Sequence, residues 1–112
     1  MTTLELRTYA IVPGRRDALF ARFRDHTDGL LRAHGMTPLG YWSAREDPDR
    51  LIYLIRHDGD PDANWRSFRE DPRWITARDE SVADGELTRS IESELLVDND
   101  LSTLTEGMHP LS

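Results

Sequence analysis

The chain has 112 residues, 21 acidic side chains against 14 basic ones, a net charge of −7 and no cysteine. This length supports one hydrophobic core, and the missing cysteines exclude disulfides, thiolate nucleophiles and Cys-ligated zinc or iron–sulfur clusters. All 14 basic residues are arginine, so lysine Schiff-base chemistry and PLP attachment are excluded as well.

Thr3 to Val12 alternates, with Leu4, Leu6, Thr8 and Ala10 on one side and Glu5, Arg7, Tyr9 and Ile11 on the other, which predicts a strand stopped by Pro13-Gly14. A helix is expected from Arg15 to His34, with Leu19, Phe23, Leu30 and His34 as its inner stripe and Gly35 as its terminator. Met36 to Arg45 and Arg50 to His57 read as a hairpin turning at Glu46-Asp47-Pro48-Asp49. Pro61 opens a short helix, and Asp71-Pro72 ends it and starts another that runs to about Val82. Glu86 to Val97 reads as the last strand, and the tail from Asp98 to Ser112 is polar with isolated Leu101, Leu104 and Met108. That tail is expected either to be disordered or to lie along a partner subunit.

The order βαββαβ predicts an α+β, ferredoxin-like domain with an antiparallel sheet in the order 4-1-3-2. Helices would cover one face, and the other would be buried only against a second sheet. No apolar run approaches the ~20 residues that span a bilayer, and the first residues lack a charged-then-apolar leader. A cytoplasmic protein without a membrane partner is expected. Interspersed charge of net acidic sign argues against nucleic acid as a partner.

Leu4-Glu5-Leu6-Arg7-Thr8-Tyr9, Pro13-Gly14-Arg15, His34-Gly35-Met36, Leu39-Gly40-Tyr41-Trp42, then Trp65, Phe68 and Asp71-Pro72-Arg73-Trp74 occur in this order along the chain. In that arrangement the chain resembles the NIPSNAP family, over roughly residues 4–97. The resemblance implies a dimeric α/β barrel built by a homodimer, with residues 98–112 as a tail outside the domain. It also implies a site between helices and sheet, since related α/β-barrel proteins include cofactor-free oxygenases, polyketide cyclases and heme-handling proteins. Eukaryotic relatives are discussed as adaptors.

Three sets of residues are candidates for chemistry. Glu5, Arg7 and Tyr9 share a face of the first strand, and Arg56, Glu92 and Glu94 on the neighbouring strands are expected to join them. Such a cluster serves either as an anion or carbonyl clamp or as an ion-pair network that fixes strand register. The rings of Tyr9, Trp42, Tyr53, Trp65, Phe68 and Trp74 are either core or the lining of a pocket for a flat ligand. On a helical wheel His34 lies inside the apolar stripe and His26 at its edge. His26 is the better candidate for a general base or an axial heme ligand, while His34 beside Gly35 also suits a helix end. His57 and His109 have no partner by spacing. Phosphate loops, HExxH helices, nucleophile elbows and calcium loops are absent from the sequence, and no metal site is expected.

The leading expectation is a homodimer that binds or transforms a small apolar or aromatic molecule without a cofactor. His26 would move a proton, Arg7 and Tyr9 would steady an oxyanion, and Trp42, Tyr53, Trp65, Trp74, Arg56 and His34 would shape the binding site. The alternatives are a heme- or ligand-binding protein without turnover, and an adaptor without a small-molecule site.

Overall fold

β1 (Thr3–Ile11) runs down the middle of the sheet, between β3 (Asp47–His57) and β4 (Thr88–Val97), with β2 (Met36–Ala44) outside β3. The computed structural model describes residues 2–105. All three pairings are antiparallel, in the order β2-β3-β1-β4, so the sheet is the four-stranded ferredoxin-like one that the element order predicts. The helices are α1 (Arg16–Arg22), α2 (Asp28–Ala33), α3 (Pro61–Glu70) and α4 (Pro72–Ser81). They lie on one face only, and the molecule is a slab of 47 × 35 × 20 Å.

Local chemistry sets most of the boundaries. Asp60 caps α3 by accepting from the Ala63 N–H at 3.0 Å, and Asp71 caps α4 by accepting from the Arg73 N–H at 2.8 Å. Each is followed by a proline at the first helical position, which has no N–H to lose and a ready-made helical φ. Gly35 ends α2 with φ of +75°, a left-handed conformation that L side chains resist, and its carbonyl accepts the Asp58 N–H at 2.8 Å.

Two local expectations are corrected. The hairpin turns at Arg45-Glu46, so β3 begins at Asp47, inside the segment expected to be the turn. A register shift between Ser43 and Ala44 absorbs the extra residues. The first helix is interrupted by a π-helical turn, Phe23–Thr27, between α1 and α2. A π turn carries one residue more than an α turn and rotates everything after it relative to a 3.6-residue wheel.

The core sits between helices and sheet. Ile11, Leu51, Tyr53 and Ile55 on the strands meet Leu19, Leu31, Met36, Phe68 and Leu87, all buried. The opposite face of the sheet carries Leu4, Leu6, Ile52, Leu54 and Leu96, all half-buried, and no helix among the described residues covers them. Trp42 lies on that same outer face, 46% exposed, with its ring against Gly40. A Cβ at Gly40 would come within 2.6 Å of that ring, so the glycine makes the room for it. β4 forms an exposed edge, and a short 3₁₀ helix, Asp100–Thr105, follows with Leu101 and Leu104 exposed. Met108 and His109 lie outside the described residues.

Candidate functional site

The inner face of β1 carries Glu5, Arg7 and Tyr9, as the alternation predicts, and each finds different partners. Glu5 is buried and accepts four hydrogen bonds: from His57 Nε2 at 2.7 Å, Trp65 Nε1 at 2.7 Å, Arg7 Nη1 at 2.9 Å and the Ser93 hydroxyl. Burial alone would raise its pKa, but these donors outweigh it and hold the carboxyl at about 2. His57 is itself buried, with Nε2 against Glu5 and Nδ1 facing the Asn64 amide nitrogen at 3.2 Å.

Arg7 extends this network. Its Nε donates to the Tyr53 hydroxyl at 2.9 Å, its Nη2 to the Tyr9 hydroxyl at 3.4 Å, and its guanidinium carbon lies 4.3 Å from the Trp65 ring centre. Burial lowers the pKa of this guanidinium, but the two tyrosine oxygens and Glu5 more than reverse that, so it is held firmly charged. The two hydroxyls are 2.9 Å apart. Only one of their two hydrogens is needed for the bond between them, and both oxygens already accept from Arg7, so one hydroxyl hydrogen is left to give. Burial pushes the Tyr53 phenol well above its usual pKa, which keeps it a donor.

The two tyrosines border a hollow of about 520 Å³ under the helices, with Arg7, Tyr9 and Tyr53 on its floor and Trp65, Phe68 and Trp74 on its wall. Trp65 meets Phe68 edge-on at 5.4 Å and Phe68 meets Trp74 at 4.7 Å, so the wall is a continuous band of rings. Its volume falls within the ~300–1,000 Å³ of small-molecule sites.

Of the residues singled out in the sequence, Arg7, Tyr9, Tyr53, Trp65 and Trp74 therefore meet at one place. Four do not. Arg56 pairs with Leu4, Glu92 with Thr8 and Glu94 with Leu6, which puts all three charges on the outer face, away from Glu5 and Arg7. Directly opposed residues share a face, so the register decides this and residue type does not. His26 is exposed and borders a different depression with Pro72, Arg73 and Thr76, because the π turn brings Thr27 inward in its place. Trp42 lies on the outer face and also borders, at the sheet edge, a depression of about 320 Å³ between β2 and the first helical segment, lined by Phe20, Phe23, Tyr41 and Leu51. His34 bonds Ser67 Oγ and Asp71 Oδ2, both at 2.8 Å, tying the end of α2 to the junction of α3 and α4. Hydrogen bonds from Arg73, and then from His34, hold the Asp71 carboxyl below the usual range.

Spacing alone does not mark His57, Ser93 or Arg22 as site residues, because their partners come from distant parts of the chain. The one signal for His57 was its place at the end of an inward-alternating strand.

A NIPSNAP family model matches residues 4–103. The chain belongs to the NIPSNAP family. Its fold is shared by a NIPSNAP protein from Agrobacterium tumefaciens, with a TM-score of 0.74 and 19% identity over 89% of this chain and 95% of that one. A NIPSNAP domain protein from Burkholderia xenovorans gives a TM-score of 0.69 and 19% identity, covering 88% of this chain and 95% of its own. A Nitrosomonas europaea protein, provisionally assigned as an antibiotic biosynthesis monooxygenase, gives 0.63 and 14% identity over 86% and 97%. No significant match was found among curated proteins. At these identities the NIPSNAP chain shares a fold with all three.

Proposed function

We propose that this NIPSNAP protein is a homodimer that binds a small, flat, ring-bearing molecule in the hollow and stabilises its enolate or phenolate form, without a cofactor. The carrying observation is the relay Arg7–Tyr53–Tyr9, which has a hydroxyl hydrogen to spare and opens onto the band formed by Trp65, Phe68 and Trp74. A charge-assisted hydrogen bond beside the aromatic wall favours the oxyanion over the neutral ligand. The displaced proton goes to solvent at the mouth, so the reading needs no dedicated base and leaves His26 out. An electron-rich anion of this kind is the starting point for isomerisation, cyclisation or reaction with oxygen.

The heme alternative needs a histidine nitrogen facing the rings. Both ring nitrogens of His34 and of His57 are hydrogen-bonded, and His26 borders another depression. An adaptor without a small-molecule site leaves the hollow unexplained. The outer face of the sheet, where half-buried Leu6, Ile52 and Leu54 sit at the centre with Arg56, Glu92 and Glu94 around them, supports the homodimer. Titration calorimetry with 2-naphthol tests the binding half. Saturable binding that weakens at least tenfold in Trp65→Ala is expected, and no binding by a folded protein would refute the proposal.

A further inference from the structure

Arg22 stands where α1 passes into the π turn, on the wall of the hollow, and its cation has no carboxylate within 4.0 Å among the described residues. Its Nη1 donates to the Ser81 hydroxyl at 3.1 Å, but its Nε is buried without a hydrogen-bond partner among the described residues. The other cations near the site are accounted for differently. Arg7 is paired with Glu5 at 2.9 Å and Arg78 with Asp79 at 3.5 Å, while Arg69 is exposed to water. Arg15 also has a buried, unpartnered Nε, yet its Nη2 reaches the Ser81 and Gly85 carbonyls at the negative end of α4. No carboxylate of the described residues lies within 4.0 Å of Arg22, and Glu86 acts on it only from farther off.

An arginine set into a cavity wall without an anion, in a chain with 21 acidic residues to choose from, is a binding group waiting for a charge from outside. The face of Trp74 lies 5.1 Å from its guanidinium carbon and orients the plane. Burial depresses the pKa of Arg22, which an incoming anion would relieve. A planar fork of N–H donors matches a carboxylate in shape and number. Arg69, exposed at the mouth, adds positive charge there, while Arg78 is offset by Asp79.

We infer that the hollow takes a ring-bearing carboxylic acid, whose carboxylate lies against Arg22 while the ring stacks on the aromatic wall. This rests on the reading of the hollow as a ring-binding site and adds the charge of its ligand. The test compares 2-naphthoate with its uncharged isostere 2-naphthamide by titration calorimetry, on the wild type and on Arg22→Met, with 2-naphthol as the reference ring. Naphthoate is expected to bind about tenfold or more tightly than naphthamide to the wild type. In Arg22→Met that preference is expected to vanish while naphthamide affinity stays within about twofold. Equal binding of naphthoate and naphthamide, or a preference that survives in Arg22→Met, overturns the inference and leaves the proposed function standing, provided 2-naphthol binds. If none of the three rings binds, both fall. The wild-type comparison decides the matter even if Arg22→Met fails to fold.

Discussion

The tyrosine pair can be dissected by counting hydrogens. Removing either hydroxyl leaves the other one accepting from Arg7 with its own hydrogen free, so Tyr9→Phe and Tyr53→Phe each retain a donor. The pKa of a bound chromogenic phenol, read by absorbance, should rise by about 1–2 in the double variant and by less than half of that in either single variant. Equal effects in single and double variants would contradict the relay. Glu5 makes a prediction about stability. Its pKa falls from 4.5 to about 2 on folding, so it contributes stability that is complete above 4.5 and lost as pH drops from there toward 2. That contribution is about 3 kcal/mol. Glu5→Gln should cost about 3–5 kcal/mol at pH 7 by urea denaturation, because an NH2 replaces the oxygen that accepts from two of the four donors and the charge paired with Arg7 is lost. The gap between variant and wild type should close as pH falls through that window; a gap independent of pH would show that Glu5 is not ionised in the fold. None of this network was legible beforehand except the shared face of Glu5, Arg7 and Tyr9. His57 and Ser93 lie 52 and 88 residues from Glu5 along the chain, and only tertiary structure joins them.

Elements were far more legible than contacts, because helix starts and strand alternation are set by neighbours in sequence. Asp60-Pro61 and Asp71-Pro72 mark two helix starts by chemistry alone, and Gly35 marks an end. Gly35→Ala should therefore destabilise the protein by about 1–2 kcal/mol, from the left-handed φ together with a Cβ 3.1 Å from Asn64 Oδ1. Thermal denaturation checks this, and an unchanged midpoint would mean that the end of α2 relaxes freely. The π turn was not legible. A wheel drawn at 3.6 residues per turn places His26 beside the core stripe, whereas the wider turn brings Thr27 in, with its hydroxyl donating to the Arg22 carbonyl at 3.3 Å. The same turn follows directly on Arg22, so one local irregularity moves a histidine out of the site and sits beside the cation on its wall.

On the scale of the molecule, a sheet covered on one side poses the question of its other side. The order of strands and the layering followed from element order and amphipathic faces; the faces of Arg56, Glu92 and Glu94 did not, because register is fixed by pairing. If two outer faces meet, sedimentation equilibrium at micromolar concentration should give twice the chain mass, and Leu54→Glu should reduce it to one chain while α3 and α4 stay folded. A wild type that sediments as a single chain would remove the dimer. The hollow lies on the opposite face of the sheet, so its ligand should still bind the Leu54→Glu variant. The most direct test of the whole account is a crystal structure with 2-naphthol soaked in. The account predicts the ring against Trp65 and Trp74, with its oxygen about 3 Å from the Tyr9 or Tyr53 hydroxyl. Trp65, Phe68 and Trp74 collapsed into the space, or naphthol bound only at the β2 edge beside Trp42, would contradict it.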